Sequence, residues 1–368
     1  MENIKGSIKF NSSDHRDFFK VLRKRVDQHF IDHQISKYAN GKMIFKTIVI
    51  LALYFIPYIL LLTLSMHPGM MMLCWSLMGF GLAGIGMSIM HDANHGAYSA
   101  NSYVNNLLGY SLNLIGGSVF NWKNQHNIMH HTYTNVVHYD EDIADKLILR
   151  MSPHTQVKKT HQFQYLYAFL LYGLITIYWA LLKDFLQFRN HIVKGVNPQQ
   201  AKSNRITLFR IIGAKIFYFS YMLVIPYFLS PSGFGWWIAG FFLMHLIAGF
   251  VLTVIFQLAH TVEGTQHPLA SVEGNMENSW AVHQLCTTVD FARKNKLLSF
   301  YIGGLNYQVE HHLFPRICHI HYPKIAPIVE ETAREFGIPY LYNDTFWQAF
   351  RSHVRTLQRF GWQEPEIA

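Results

Sequence analysis

The sequence predicts an all-α integral membrane protein: four transmembrane helices, interfacial helices, and a cytoplasmic helical cap carrying a two-metal site. Three observations lead there. Half of the 368 residues are hydrophobic and only 14% are charged, against roughly 25% charged in soluble domains. Four apolar runs each exceed the roughly 20 residues needed to cross a bilayer. Seven histidines fall in three short clusters beside those runs: His91 and His95; His126, His130 and His131; His311 and His312.

The spans are expected at about 43–66, 69–90, 206–229 and 233–259, the third carrying Arg210 and Lys215. The connectors His67-Pro68 and Ser230–Ser232 lack Lys and Arg. Residues 1–42 hold nine, and 183–205 add Lys183, Arg189, Lys194, Lys202 and Arg205. Positive charge is retained on the cytoplasmic side, so both termini and both large polar regions are placed there. The apolar stretch 163–182 could form a fifth span. It would then put the basic stretch 183–205 outside and separate the third histidine cluster from the first two. It is therefore expected at the interface or in a shallow hairpin, and 104–120 likewise.

Three regions follow: an amphipathic N-terminal segment 1–42, a membrane domain 43–322, and C-terminal cytoplasmic helices 323–368. Phe19, Leu22, Val26 and Phe30 recur at helical spacing among Lys and Arg. Such a helix either lies on the membrane surface or packs as an ordinary amphipathic helix. Phe346, Phe350, Val354 and Leu357 form a further stripe expected in the core, on helices ending near Gly337 and Gly361. The net charge of +9 fits anionic lipid at the cytoplasmic face better than nucleic acid. Three cysteines, Cys74, Cys286 and Cys318, without a CxxC, argue against a disulfide framework or a zinc–thiolate site. Residues 1–42 have no apolar core of a cleavable signal peptide.

Polar groups beside apolar spans are costly unless they serve a purpose. His91 and His95 are four apart, as are His126 and His130, so each pair shares a helical face; His131 turns about 100° away. Adjacent His311 and His312 diverge, which suits two ions. Neutral imidazole favours zinc, copper, iron or nickel. Zinc usually takes four ligands, and this set exceeds one ion's needs. His260, at the end of the fourth span, is a further candidate. His245, mid-span, is expected to be packed or hydrogen-bonded. His138, His154, His161, His267, His283, His319 and His321 are expected at the surface or behind the ligands. Asp92, Asp140, Glu141, Asp142 and Glu310 are candidates to orient ligand imidazoles, and Gln308 is a weak-ligand candidate one turn before His312.

The segments HDANHGAYS (91–99), QHNIMHHTYTN (125–135) and NYQVEHHLFP (306–315) resemble the three histidine boxes of the membrane fatty acid desaturases, and the resemblance covers nearly the whole chain. Gln308 stands where the third box often begins with histidine, as in the front-end branch, which desaturates between an existing double bond and the carboxyl end. The resemblance implies a di-iron centre held by His91, His95, His126, His130, His131, His311 and His312, and by position His260. It also implies O2 as co-substrate and a fatty acyl-CoA or phospholipid acyl chain as substrate, delta-6-like on a linoleoyl chain. Many eukaryotic front-end members carry a fused cytochrome b5 domain with an HPGG motif. Residues 1–42 are too short for one, and the HPGM at 67–70 sits in a span connector. A separate donor is expected (ferredoxin, flavodoxin or cytochrome b5-like), with residence in a bacterial inner membrane.

Unactivated methylenes offer no acidic proton, so a metal oxidant and a tightly positioned chain are required. Trp280, Gln284 and Thr287 are candidates to line an apolar acyl tunnel; ordinary helix packing is the alternative. A lipid, alkane or carotenoid hydroxylase on the same scaffold is the nearest rival. A metal transporter would place ligands along the spans, and a zinc hydrolase would need fewer histidines.

Overall fold

The computed structural model describes residues 8–143, 148–193, 195 and 201–365. Lys194 of the basic stretch and the ends of the expected terminal segments, 1–7 and 366–368, lie outside them. The described chain is helical, apart from one short parallel pairing of Asp290–Phe291 with Tyr342–Asn343 and an isolated bridge between Lys9 and Asn275. Two compact units are present, one formed by 1–39, 125–168 and 255–368, the other by 40–124 and 169–254.

The second unit holds the apolar helices. Four are long and apolar enough to cross a membrane: Gly41–Thr63, Pro68–His95, Ala201–Leu229 and Phe234–His260, the last ending within the first unit. Asn40 starts the first by accepting from the backbone N–H groups of Lys42 and Met43, satisfying donors that have no partner inside the helix. The second begins at Pro68, suited to a first helical position. Here the His-Pro-Gly sequence has a local explanation: His67 Nδ1 accepts from Gly69 N at 3.2 Å, capping the helix. This helix runs beyond the expected 69–90 through a π-wound segment, Ile85–Ile89, before Met90–His95. Two glycines set its packing. A Cβ at Gly79 would lie 2.9 Å from Met244 O, and one at Gly81 would lie 2.8 Å from Tyr54 N. Small residues of this kind let membrane helices approach closely.

The segment 104–120 forms only short helices, Ser102–Gly109, Ser111–Leu114 and Val119–Trp122. The apolar stretch 163–182 is broken, with Lys159–Gly173 and Ile175–Val193 meeting at 52°. His245 is hydrogen-bonded as expected, its Nε2 2.7 Å from Tyr218 Oη and its Nδ1 3.1 Å from Thr176 Oγ1. Lys215 forms a buried ion pair with Asp184 at 2.6 Å and also donates to Gly116 O and Trp179 O.

The first unit has its own core. Phe18, Leu22 and Val26 of the helix Phe18–Asp32 pack among Leu285, Val309, Ile325 and Val329. Of the two readings of this helix, the packed one holds, because its apolar stripe is buried against protein. The helix Tyr322–Glu335 ends just before Gly337, whose φ of +68° is a left-handed turn that glycine adopts without strain. Thr345 and Gln348 form a reciprocal cap at the start of Phe346–Trp362. On that last helix the stripe expected in the core is only partly so. Leu357 is buried, Phe346, Phe350 and Val354 are half-buried, and the fully covered face is Ala349, His353, Thr356 and Phe360. Cys74, Cys286 and Cys318 are buried and form no disulfide among the described residues.

Candidate metal centre

The site in the first unit begins with an irregular helix. Residues Lys123–His130 are π-wound, a geometry in which side chains five apart face one side. His126 and His131 accordingly meet, with Nε2 atoms 3.3 Å apart. A regular α-helix would have turned His131 away, so the winding differs from the sequence expectation and draws the whole second cluster together. The third cluster lies on the short helix Gln308–Leu313. His311 and His312 rings stand 4.6 and 4.4 Å from that of His131. His260, at the end of its long helix, lies 4.7 Å from His130 and 5.0 Å from His312 by ring centroid.

Ligand atoms of His130, His260 and His312 all lie within 4.8 Å of one another, as do those of His131, His311 and His312. His312 belongs to both groups. His126, His130 and Asp142 form a third such group. In the second unit, His91 and His95 are buried with rings 4.8 Å apart, and Trp122 stands edge-on to both at 5.6 and 5.5 Å.

Polar groups behind the rings fix their orientation. His130 Nδ1 lies 2.9 Å from Asp140 Oδ2. Asp140 also accepts from Asn135 N at 2.9 Å and Asp142 N at 3.0 Å. Burial disfavours charge on His130, but the Asp140 carboxylate outweighs it and raises the imidazole's proton affinity. The same partner holds Asp140 below the usual carboxylate range despite its burial. His312 Nδ1 donates to Gln284 Oε1 at 2.8 Å, with Thr134 Oγ1 at 3.1 Å. Burial and neighbouring imidazoles depress the His312 pKa well below its ordinary value, which keeps the ring neutral, as ligation requires. His130 Nε2 and His312 Nε2 are then left buried without a hydrogen-bond partner among the described residues. An unpaired buried nitrogen is costly, and a metal ion would satisfy both.

The other candidates divide. Asp92 is buried with Oδ1 4.0 Å from His91 Nδ1, beyond hydrogen-bond reach. Gln308 is buried at the start of its helix. Asp142 accepts a short hydrogen bond from Gln125, and Glu141 is half-buried beside it. Glu310 departs from expectation. Its carboxyl contacts Tyr340 Oη at 2.8 Å and bonds no imidazole among the described residues. Successive residues on a helix diverge by about 100°, so Glu310 points away from His311 and His312. Trp280, Gln284 and Thr287 share the helix Trp280–Thr287. Trp280 Nε1 donates to His131 O at 3.1 Å, and Thr287 Oγ1 to His283 O at 2.8 Å.

Sequence reasoning missed Thr134 and Asn135, although both lie inside the second box segment. Thr134 Oγ1 lies 2.7 Å from His130 O and 2.8 Å from Gln284 Oε1, two acceptors that share its one proton. Asn135 has a φ of +56° and its amide donates to His260 O, Gln266 O and Thr287 O. Asparagine is enriched in that left-handed region, and this was the available signal. His161, His267, His283, His319 and His321 are buried rather than at the surface; His283 Nε2 donates to Thr134 O at 2.8 Å.

A model of the fatty acid desaturase family matches residues 66–343, well over half of the chain. The chain belongs to the fatty acid desaturase family. The desaturase is 35% identical to an acyl-lipid (8-3)-desaturase of Physcomitrium patens over 98% of this chain and 75% of that protein. It is 34% identical to an sn-1 linoleoyl-lipid 6-desaturase of Synechocystis over 96% and 98% of the two chains. A protein of the same description from Arthrospira platensis is 35% identical over 94% and 92%. The desaturase is thus an oxidoreductase of fatty acyl chains and, with its four apolar helices, an integral membrane protein.

Proposed function

We propose that this desaturase inserts a cis double bond into a lipid-bound acyl chain between an existing double bond and the carboxyl end, with delta-6-like placement on a linoleoyl chain. The names of the two cyanobacterial relatives support the substrate class and position. The proposed cofactor is a pair of iron ions held by His91, His95, His126, His130, His131, His260, His311 and His312. The observation that carries it is His312, which belongs to two ligand groups at once and whose buried Nε2 has no hydrogen-bond partner among the described residues.

Bound iron would supply, with O2, the oxidising power for C–H removal that no side chain can provide. The protein's own residues set the stage. Asp140 and Gln284 each accept a hydrogen bond from the Nδ1–H of an imidazole, presenting the opposite nitrogen inward. Thr134 ties Gln284 to the His130 backbone, so two presented rings share one support. The acyl chain is proposed to pass the 280–287 helix, whose side chains touch both the second and third clusters. The proposed setting is a bacterial inner membrane, with termini and metal centre cytoplasmic.

Fatty acid methyl ester analysis tests the reading. Expression in a host fed linoleate, with His312→Ala as control, is expected to yield a new trienoic acid in the wild type only. A hydroxylated product would replace desaturation with the hydroxylase alternative. Absence of both product and iron would overturn the di-iron reading.

A further inference from the structure

Desaturation has an electron deficit. Reducing O2 to two waters takes four electrons and four protons, and the two C–H bonds supply two of each. Two electrons and two protons must come from outside. On the desaturase reading, those electrons need a point of entry on the protein.

The helix Phe18–Asp32 has two unlike sides. Its apolar side is consumed inside the protein by Phe18, Leu22 and Val26. Arg25 is also engaged, donating to both oxygens of Glu335 at 2.9 and 2.7 Å. The outer side forms a groove lined by Arg16, Phe19, Lys20, Arg23, Lys24 and Ile31. Four of these are cationic, and Asp27 on the same wall is anionic. Phe19 is half-buried, and its ring meets Trp280 edge-on at a centroid distance of 5.3 Å. Trp280 Nε1 in turn donates to His131 O at 3.1 Å. One ring contact and one hydrogen bond therefore link a positively charged surface groove to a residue of the candidate metal centre.

We propose that this groove docks an acidic one-electron carrier protein and that Phe19, Trp280 and His131 form the electron route from it. Each docking oxidises one reduced carrier by one electron. Two dockings serve each double bond, with two protons taken from water. Trp280 conducts without gaining or losing a bond. A soluble protein fits better than a lipid surface. Membrane-lying helices insert an apolar face, and this helix has buried its own, leaving mainly Ile31, at 66% exposure, outside. Charge of one sign steers an oppositely charged partner and speeds its arrival.

Binding is measured first, because it needs no turnover. The full chain in phosphatidylcholine nanodiscs is titrated with a fluorescently labelled acidic [2Fe–2S] ferredoxin. The wild type is expected to bind with an affinity that falls as salt rises. Replacing Lys20→Glu, Arg23→Glu and Lys24→Glu together should weaken binding about tenfold or more. Replacing Lys294→Glu, Lys296→Glu and Arg351→Glu changes the charge equally elsewhere and should not. No wild-type binding at low salt, or equal weakening by both triples, overturns the docking site. So does a first triple that loses affinity for phosphatidylglycerol vesicles while ferredoxin binding is unchanged.

The route is tested by stopped-flow oxidation of reduced ferredoxin with iron-loaded protein and no acyl substrate. Trp280→Leu should slow it about tenfold at unchanged ferredoxin affinity, with Trp280→Phe recovering part of the rate. An unchanged rate in Trp280→Leu overturns the route. Groove-dependent ferredoxin binding without any unsaturated product would fault the desaturase reading alone. Dithionite-driven desaturation with groove-independent ferredoxin binding would fault the docking alone.

Discussion

His130 Nδ1 stands 2.9 Å from Asp140 Oδ2, with both side chains buried and the carboxylate pinned by the backbone N–H groups of Asn135 and Asp142. The pairing fixes the ring's tautomer and strengthens the opposite nitrogen as a donor to metal. Removing such a partner typically costs about 10–100-fold in metal affinity or activity. Asp140→Ala should lose iron within that range, and Asp140→Asn, which keeps an acceptor, should lose less. Iron content after dialysis against a chelator gives the answer. Full iron retention in Asp140→Ala would remove Asp140 from the proposed ligand support.

Gln284 poses a sharper choice, because it was expected beside the acyl chain and is found bonded to His312 Nδ1 and Thr134 Oγ1. If its main task is orienting His312, Gln284→Leu removes the 2.8 Å acceptor of a buried imidazole N–H and leaves only Thr134 Oγ1 at 3.1 Å, which costs roughly 1 kcal/mol. Iron occupancy should then fall along with activity, and Gln284→Glu, which keeps an acceptor, should restore part of it. A Gln284→Leu variant with normal iron but a shifted double bond or altered chain-length preference would assign the residue to the tunnel instead.

The spans and histidine boxes were legible because they depend on local, periodic features: apolar length and residues spaced by one helical turn. What was not legible depends on departures from the period. The π-winding over Lys123–His130 brings His126 and His131 together, and no spacing rule for a regular helix would do so. Asp140 was one of five acidic candidates. It was singled out only by the turn at Asn135, with a φ of +56°, which places its carboxylate under His130. Glu310 sits beside two candidate ligands in sequence yet faces Tyr340. The stripe of Phe18, Leu22 and Val26 was compatible with lipid or protein, and only the tertiary packing against Ile325 and Val329 decided between them.

Lys215 and Asp184 form an ion pair in the helical unit, 2.6 Å apart and largely buried. Removing one member leaves the other charge uncompensated, which costs about 3–5 kcal/mol, whereas replacing both with apolar residues is often neutral. Lys215→Met should therefore lower the thermal unfolding midpoint strongly in detergent. The double variant Lys215→Met with Asp184→Leu should recover most of the loss. A double variant as unstable as the single one would mean the pair holds the bent helix by specific bonds, through Gly116 O and Trp179 O, rather than by charge.

Tyr340 Oη lies 2.7 Å from Asp290 Oδ2 and 2.8 Å from Glu310 Oε1. A phenol has one proton to donate, so one of the two carboxyls must supply the second hydrogen bond and be protonated. Burial pushes the Asp290 pKa from 3.8 up to about 6, against hydrogen bonds that favour its anion. Burial and the Asp290 charge raise Glu310 well above its ordinary value. The native protein thus keeps protons that the unfolded chain has already released. Stability from this pair is present at low pH and falls as pH rises between about 4 and 6, with Glu310 extending the fall toward neutrality. Asp290→Asn should flatten that slope, so the difference in unfolding midpoint between variant and wild type should shift in the variant's favour as pH rises. A difference independent of pH would mean that Asp290 does not titrate across this range.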